Sequence, residues 1–144
     1  MITSQIAFTV PITPVPKARH RTCRLPNGRM MAYNSPQARG DIETFIAYAR
    51  PNAPTTPLTG ALSVRTDVYL PIPVSWSKKK IASALSGEVR PVSSRQDLDN
   101  YIKFALDCMN GQFFGDDHQV VKLSAEKRYS DRPRWEIFIS EISG

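Results

Sequence analysis

The sequence predicts an α+β fold, a small mixed β-sheet packed by helices in the order β-α-β-(α)-α-β-β. Alternating apolar residues mark strands in four places, a 3.6-residue apolar period marks helices between them, and prolines and glycines separate the segments. At 144 residues, the chain is expected to form one domain over residues 1–144, long enough for one sheet-and-helix core and short for two.

Taken in order, "QIAFTVPI" places Ile6, Phe8, Val10 and Ile12 on one side of a half-buried strand that stops at the proline-rich "PITPVP". "TPVPKARHRTCRLPNGRMMAYNSP" has turn formers at Pro26, Asn27 and Gly28 and little periodicity, so a basic loop or loose hairpin is expected. Ser35 and Pro36 fit an N-cap and a first helical position. "PQARGDIETFIAYAR" then runs helically, with Ile42, Phe45, Ile46 and Ala49 on one stripe before Pro51. Pro51, Pro54 and Pro57 mark a surface connection. "GALSVRTDVYLPIP" alternates Leu62, Val64, Thr66, Val68 and Leu70 against polar partners and ends at Pro71 and Pro73. "SWSKKKIASALSG" reads as a short helix capped at Ser75, ended at Gly87 and carrying three lysines.

The central helix lies in "SSRQDLDNYIKFALDCMNGQFFGDDHQVV", where Leu98, Ile102, Ala105, Leu106 and Met109 form an apolar stripe that should pack on the sheet. At roughly 100° per residue, Asp99 and Lys103 lie about 40° apart on a flank of that stripe, whereas a helical Asp97 would lie about 160° from Asp99. Two facing carboxylates therefore require Asp97-Leu98-Asp99 to be extended, with the helix starting at or just after Asp99 and Asp99 as its N-cap. Such an acid gains from the positive end of the helix dipole. Gly111 and Gly115 then punctuate a tight connection, with Asp116 and Asp117 at the start of the strand "QVVKLSAEKRY". That strand is expected to pair with "RWEIFISEI" as a hairpin across "SDRPR", whose Ser130, Asp131 and Pro133 suit a turn.

Composition narrows the function classes. No apolar run reaches the length of a membrane span, and the start of the chain lacks the basic-then-apolar order of a secretory signal, so a cytoplasmic address without membrane contact is expected. Cys23 and Cys108 are far apart and in no metal-binding spacing, so two reduced thiols are expected. Net charge is +6, yet Asp97 to Asp117 holds five acids and only Lys103, a local −4 that leaves +10 for the rest of the chain. Between Thr13 and Gly40 there are Lys17, Arg19, Arg21, Arg24, Arg29 and Arg39 with no acid, and Lys78, Lys79, Lys80, Arg90 and Arg95 form a second basic cluster. Two basic segments bracket one acidic one, a pattern suited to an acidic polymer as partner.

Carboxylates from several segments are the ligand set of a hard divalent cation, and acids crowded this way repel one another unless a cation neutralises them. In phosphodiester hydrolysis such a metal activates water and stabilises charge on the attacking and leaving oxygens. Lys103, one turn past Asp99, would orient that water or offset charge on the scissile phosphate. On spacing alone a plain structural account stands equally beside this one: Asp97 and Asp99 as cap and surface acid, Asp99 paired with Lys103, and Asp116-Asp117 as turn chemistry. His118 has no companion at metal or triad spacing, and both it and His20 are expected to be neutral loop histidines.

"DLDNYIKFALDCMNGQFFGDDHQV" resembles the signature of the RusA family of Holliday junction resolvases, endodeoxyribonucleases of bacteria and their phages. That pattern is D-L-D-N, a lysine four residues after the second Asp, and a phenylalanine or similar residue shortly before D-D-x-x-V. Here these are Asp97, Leu98, Asp99, Asn100, Lys103, Phe114, Asp116, Asp117 and Val120. "VPKARHR", Val15 to Arg21, resembles the basic N-terminal stretch of phage-type members, so a phage or prophage origin is an expectation. The resemblance implies a RusA-like fold and a Mg²⁺-dependent homodimer, with Mn²⁺ able to substitute, that binds four-way DNA and nicks strands of like polarity symmetrically in recombination and repair. By position it makes Asp97, Asp99 and Asp117 the essential acids, Lys103 the catalytic lysine, and Asp116 a neighbouring metal-site acid. The segment between Pro71 and Arg95, with its three lysines, is longer than in the shortest members, which bears on how loops grip the junction arms.

Phosphate contacts are expected from Lys17, Arg19, Arg21, Arg24, Lys78, Lys79, Lys80, Arg90 and Arg95, with affinity that falls as salt rises. Tyr33 and Trp76 are expected to pack or sit at the surface rather than stack on bases. Two rival readings are a DNA-binding module without catalysis and a general metal-dependent nuclease acting on flaps or other branched DNA.

Overall fold

Four strands whose inward positions are mostly apolar form one mixed sheet, and the helices cover the face those positions share. The computed structural model describes residues 2–18, 21–92 and 97–142. The strands are β1 (Ile2–Val10), β4 (Ala61–Pro71), β5 (Val120–Ser130) and β6 (Arg134–Ile142), in spatial order β1-β6-β4-β5. β6 runs antiparallel to both β1 and β4, and β5 runs parallel to β4. β2 (Arg21–Arg24) and β3 (Met30–Tyr33) form a separate antiparallel hairpin, so the basic loop is an ordered ribbon.

The expected hairpin between the last two strands is not formed, because β4 lies between them. The inward residues of β4, Leu62, Val64, Thr66, Val68 and Leu70, are all buried, and Asp67 on its opposite face is only 8% exposed. A strand so enclosed needs a hydrogen-bonded neighbour on each edge, and that demand overrides the local turn signal. Residues 131–133 bridge two inter-strand spacings of roughly 4.8 Å each, within reach of the intervening peptide steps.

Helix α1 (Pro36–Ala49) begins as its sequence predicts, with the Ser35 hydroxyl accepting from the Ala38 N–H at 3.1 Å. It buries Phe45 and Ala49, and Ile42 and Ile46 pack at the margin of the core. Helix α2 (Lys78–Leu85) is capped by Ser77 rather than Ser75, the Ser77 hydroxyl accepting from the Lys80 N–H at 3.2 Å. The reason is Trp76: its N–H closes a turn on the Pro73 carbonyl, and its ring packs edge-on against Tyr129 at 5.1 Å, so the helix starts after it.

Helix α3 (Leu98–Met109) departs from expectation in start and rotation. Its N-cap is Asp97, with extended φ and ψ of −76° and 146°, and Asp99 already lies in the first turn. Its buried face is Tyr101, Phe104, Ala105, Cys108 and Met109, whereas Ile102 is only partly covered. That face is rotated roughly 75° from the aliphatic stripe read from sequence. Aromatic bulk decides the rotation. Trp135 is fully buried and meets Phe104 stacked at 5.7 Å, Phe45 edge-on at 5.5 Å and Tyr101 at 6.1 Å. Two aromatic rings bury more area than Ile102 would, and they gain pairing geometry as well. Asp99, Lys103 and Asp107 consequently face directly away from the core, and all three are exposed. Cys108 sits in that core, its thiol pushed up to about 12 by burial, so it is packing rather than a nucleophile.

Phe104→Ala should cost about 3–5 kcal/mol in urea unfolding, and Ile102→Ala less than about 1 kcal/mol. Equal costs would show that the aliphatic stripe, not the aromatic cluster, seats the helix.

Candidate active site

The start of α3 presents two acids. An N-cap aspartate ordinarily accepts from a backbone N–H of the first turn, a bond that contributes about 1 kcal/mol. The Asp97 side chain makes no such bond, and Asp97 and Asp99 are both exposed. Among the described residues no ion pair joins Asp99 to Lys103; the ion pairs of the fold lie elsewhere. Of the plain structural account, the cap position of Asp97 and the exposed Asp99 hold, whereas the Asp97 capping bond and the Asp99–Lys103 pair are not formed among the described residues. Two carboxylates stand at the positive end of a helix dipole, with Lys103 one turn on from Asp99 along the outward stripe. The N-terminal arm is tied to this helix, since the Lys17 N–H donates to the Asn100 carbonyl at 3.0 Å and its ammonium pairs with Asp107 at 2.5 Å.

The other acid pair is built at the opposite end. After Met109 the chain turns through Gly111, at φ +83°, and sends Phe113 and Phe114 fully into the core before Asp116. Asp116 and Gln119 close a reciprocal capping box around a 3-10 turn, Asp117–Gln119. The Gln119 amide donates to the carbonyls of Leu58 and Gly60 at 2.9 and 3.0 Å, which locks this turn to the strand entry of β4. Asp116 also contacts His118 through the ring Nδ1 and accepts from the Asn110 amide at 3.4 Å. These bonds, His118 first and then Asn110, hold its carboxyl below the usual range. Asp116 is therefore a fixed anchor, while Asp117 beside it is exposed.

The two pairs are separated by the helix itself. Asp116 bonds to Asn110, the C-cap of α3, and Asp97 is the N-cap, so the 12 residues between them set the pairs about 18 Å apart. Ligand oxygens around one Mg²⁺ lie at most about 4.2 Å from each other. Among the described residues no group of three or more His, Cys, Asp or Glu side chains is close enough to hold a metal ion. Along one chain, Asp97 and Asp99 stand at the start of α3 and Asp116 and Asp117 beyond its end, and the facing of Asp97 and Asp99 expected from an extended Asp97-Leu98-Asp99 is not formed, because Leu98 and Asp99 are helical.

The expected phosphate contacts scatter around α3. Arg21 and Arg24 are exposed on the β2–β3 hairpin, and Lys78, Lys79 and Lys80 are exposed in the first turn of α2, with Lys80 4.0 Å above the Trp76 ring. Arg90 lines a hollow with Val92, Leu98, Ala125 and Lys127 beside the start of α3. Arg19, His20 and Arg95 lie outside the described residues. Lys127, which the sequence reading did not single out, lines the same hollow as Arg90, as does Glu126. That reading also missed the contact of His118 with Asp116.

The model of the RusA endodeoxyribonuclease family matches residues 11–140 of this chain. This chain belongs to the RusA family. The uncharacterized protein YqaN of Bacillus subtilis (strain 168) is 37% identical to it over 140 residues, covering 96% of this chain and 97% of that one. The RusA match spans both acid pairs and Lys103, and begins just after β1. No helix among the described residues is long and apolar enough to cross a membrane.

Because the Asp116 carboxyl is depressed in the folded state, its stabilising bonds are fully present above the unfolded value and lost as pH falls through the folded one. His118→Ala should raise the Asp116 midpoint toward the ordinary carboxylate range in a carbon-13 NMR titration. An unchanged midpoint would remove His118 as the main cause.

Proposed function

We propose that this RusA-family chain is a Mg²⁺-dependent, structure-selective endodeoxyribonuclease that resolves four-way DNA junctions by paired nicks as a homodimer. The observation that carries the reading is the start of α3, where Asp97 and Asp99 stand exposed at a positive dipole end without a capping bond from Asp97 or an ion pair among the described residues, and Lys103 shares the outward face of Asp99. Hard oxygen donors of this kind fit Mg²⁺, or Mn²⁺ in its place. Bound there, the ion would polarise the scissile phosphate and lower the pKa of a bound water.

Two carboxylates are a thin ligand set, and the second pair is a helix length away in the same chain. A second copy removes the difficulty. In an isologous dimer that sets the start of α3 in one protomer against the start of β5 in the other, Asp97 and Asp99 meet the partner's Asp117, and the two-fold axis repeats the arrangement. Two equivalent sites at fixed spacing are what paired cuts in a four-way junction require. Within each site Lys103 offsets charge on the phosphate, and Asp116, held by Asn110 and Gln119, fixes the backbone that carries Asp117. Arg21, Arg24, Arg90 and the lysines of α2 hold the flanking phosphates, so affinity falls with salt.

Asp97→Asn or Asp117→Asn should lower cutting of a synthetic four-way junction in Mg²⁺ by more than about 100-fold, and Lys103→Ala by about 100-fold, while binding in EDTA changes little. A wild-type chain that binds the junction and never cuts it would leave the DNA-binding module. One that cuts flaps or linear duplex as fast as the junction would leave a general nuclease.

A further inference from the structure

We propose that the β2–β3 hairpin is a branch-point wedge that enters the opening between duplex arms of a DNA junction and selects branched over linear DNA. The inference rests on the reading of the chain as a branched-DNA enzyme and assigns the selection to a segment outside the acidic site.

Among the described residues, neither strand of the hairpin joins the main sheet. The two strands pair only with each other, and none of residues 21–33 is buried. Large apolar side chains stand in solvent along it: Met30 is 61% exposed, Met31 45% and Tyr33 38%. An isolated two-stranded ribbon is marginally stable in water, so one that carries exposed apolar residues is built to be covered. The turn is nonetheless well specified, with Gly28 at φ +86°, its N–H on the Leu25 carbonyl at 2.9 Å, and the Leu25 N–H on the Arg29 carbonyl at 2.7 Å. The ribbon is therefore shaped before it meets a partner.

Register and charge identify that partner. Arg21 pairs with Tyr33 and Cys23 with Met31 on one face; Thr22 pairs with Ala32 and Arg24 with Met30 on the other. Each face thus has an arginine and a methionine, Arg29 adds a third cation beside the turn, and no acid occurs from Thr13 to Gly40. A protein surface would cover one face and leave the other methionine in water. A ribbon held between two duplex arms is covered on both faces, with phosphates for the arginines and base faces for the methionines and tyrosine. A two-stranded ribbon matches the width of a DNA groove, and apolar side chains inserted at base steps unstack them. Bases at a branch already lack a continuous stack, which lowers the cost of insertion there.

Both roots of the hairpin are fixed beside the acidic helix. Lys17 is bonded to Asn100 and paired with Asp107, and Asn34 lines the same hollow of about 150 Å³ as Phe104 and Asp107. Whatever the ribbon grips is held next to the helix that carries Asp99 and Lys103.

The test uses the full chain in EDTA, a synthetic four-way junction with 2-aminopurine at the branch, and a linear duplex of equal length. The wild-type chain should bind the junction more tightly and raise the 2-aminopurine fluorescence. The triple variant M30S/M31S/Y33S, with an unchanged melting curve, should lose about tenfold or more of junction affinity and the fluorescence rise while holding duplex as before. R21Q/R24Q/R29Q should weaken both DNAs. Retained preference and fluorescence in the apolar variant would overturn the wedge, as would a change in its sedimentation from dimer to monomer, which would make the hairpin a contact between copies. A wild-type chain without junction preference would instead sink the reading of the substrate and leave the acidic site to be judged by cutting.

Discussion

The packing of α3 through Tyr101 and Phe104 onto Trp135 is the constraint on which the rest of the molecule depends. A helix seated by aromatic rings on one side has no freedom to roll, so the residues opposite those rings are committed to solvent. Asp99, Lys103 and Asp107 are those residues. The same seating fixes where the helix ends. Asp97 and Asn110 mark its two limits, the N-terminal arm is held along it at Asn100 and Asp107, and the Asp116 turn is held at Asn110.

That spacing changes what the acidic segment means. A run of five acids in a basic chain reads at first as one cluster, because 21 residues is a short stretch of sequence. In space it is two pairs with different surroundings. Asp116 is held by Asn110, His118 and the Gln119 capping box, and its carboxyl is lowered accordingly. Asp97 lacks even the bond an N-cap usually makes. Exposed carboxylates that take no bond from their own protomer among the described residues are available to an outside ligand, and a cation shared with a second copy and a phosphate has the right sign and hardness.

Much of this was legible in the sequence, and the failures have physical causes. The period of two in Leu62 to Leu70 and the Ser35-Pro36 start of α1 were decided by local rules, and the structure follows them. The α+β class was readable for the same reason, and the D-L-D-N and D-D-x-x-V segments through their resemblance to a family signature. The hairpin expected across Asp131–Pro133 failed because strand order is set by which strand must be enclosed, a property of the whole sheet that a turn cannot report. Asp97 rather than Asp99 caps α3, since an Asp at either position satisfies the local rule and the aromatic seating of Tyr101 chooses between them. The stripe was misread because aliphatic periodicity was weighed above ring size. Separation of the acid pairs was present in the helix length, since even a helix starting at Asp99 is about 15 Å long, but closeness in sequence masked it.

The central claim, that each acidic site draws on two copies of the chain, is tested most directly by mixing Asp97→Asn and Asp117→Asn protomers, with subunit exchange verified by mass. In a shared arrangement the mixed dimer has one site with both substitutions and one with neither, so it should introduce a single nick into a four-way junction that neither parent variant cuts. If exchanged dimers remain as inactive as their parents, each site lies within one chain and the account is wrong.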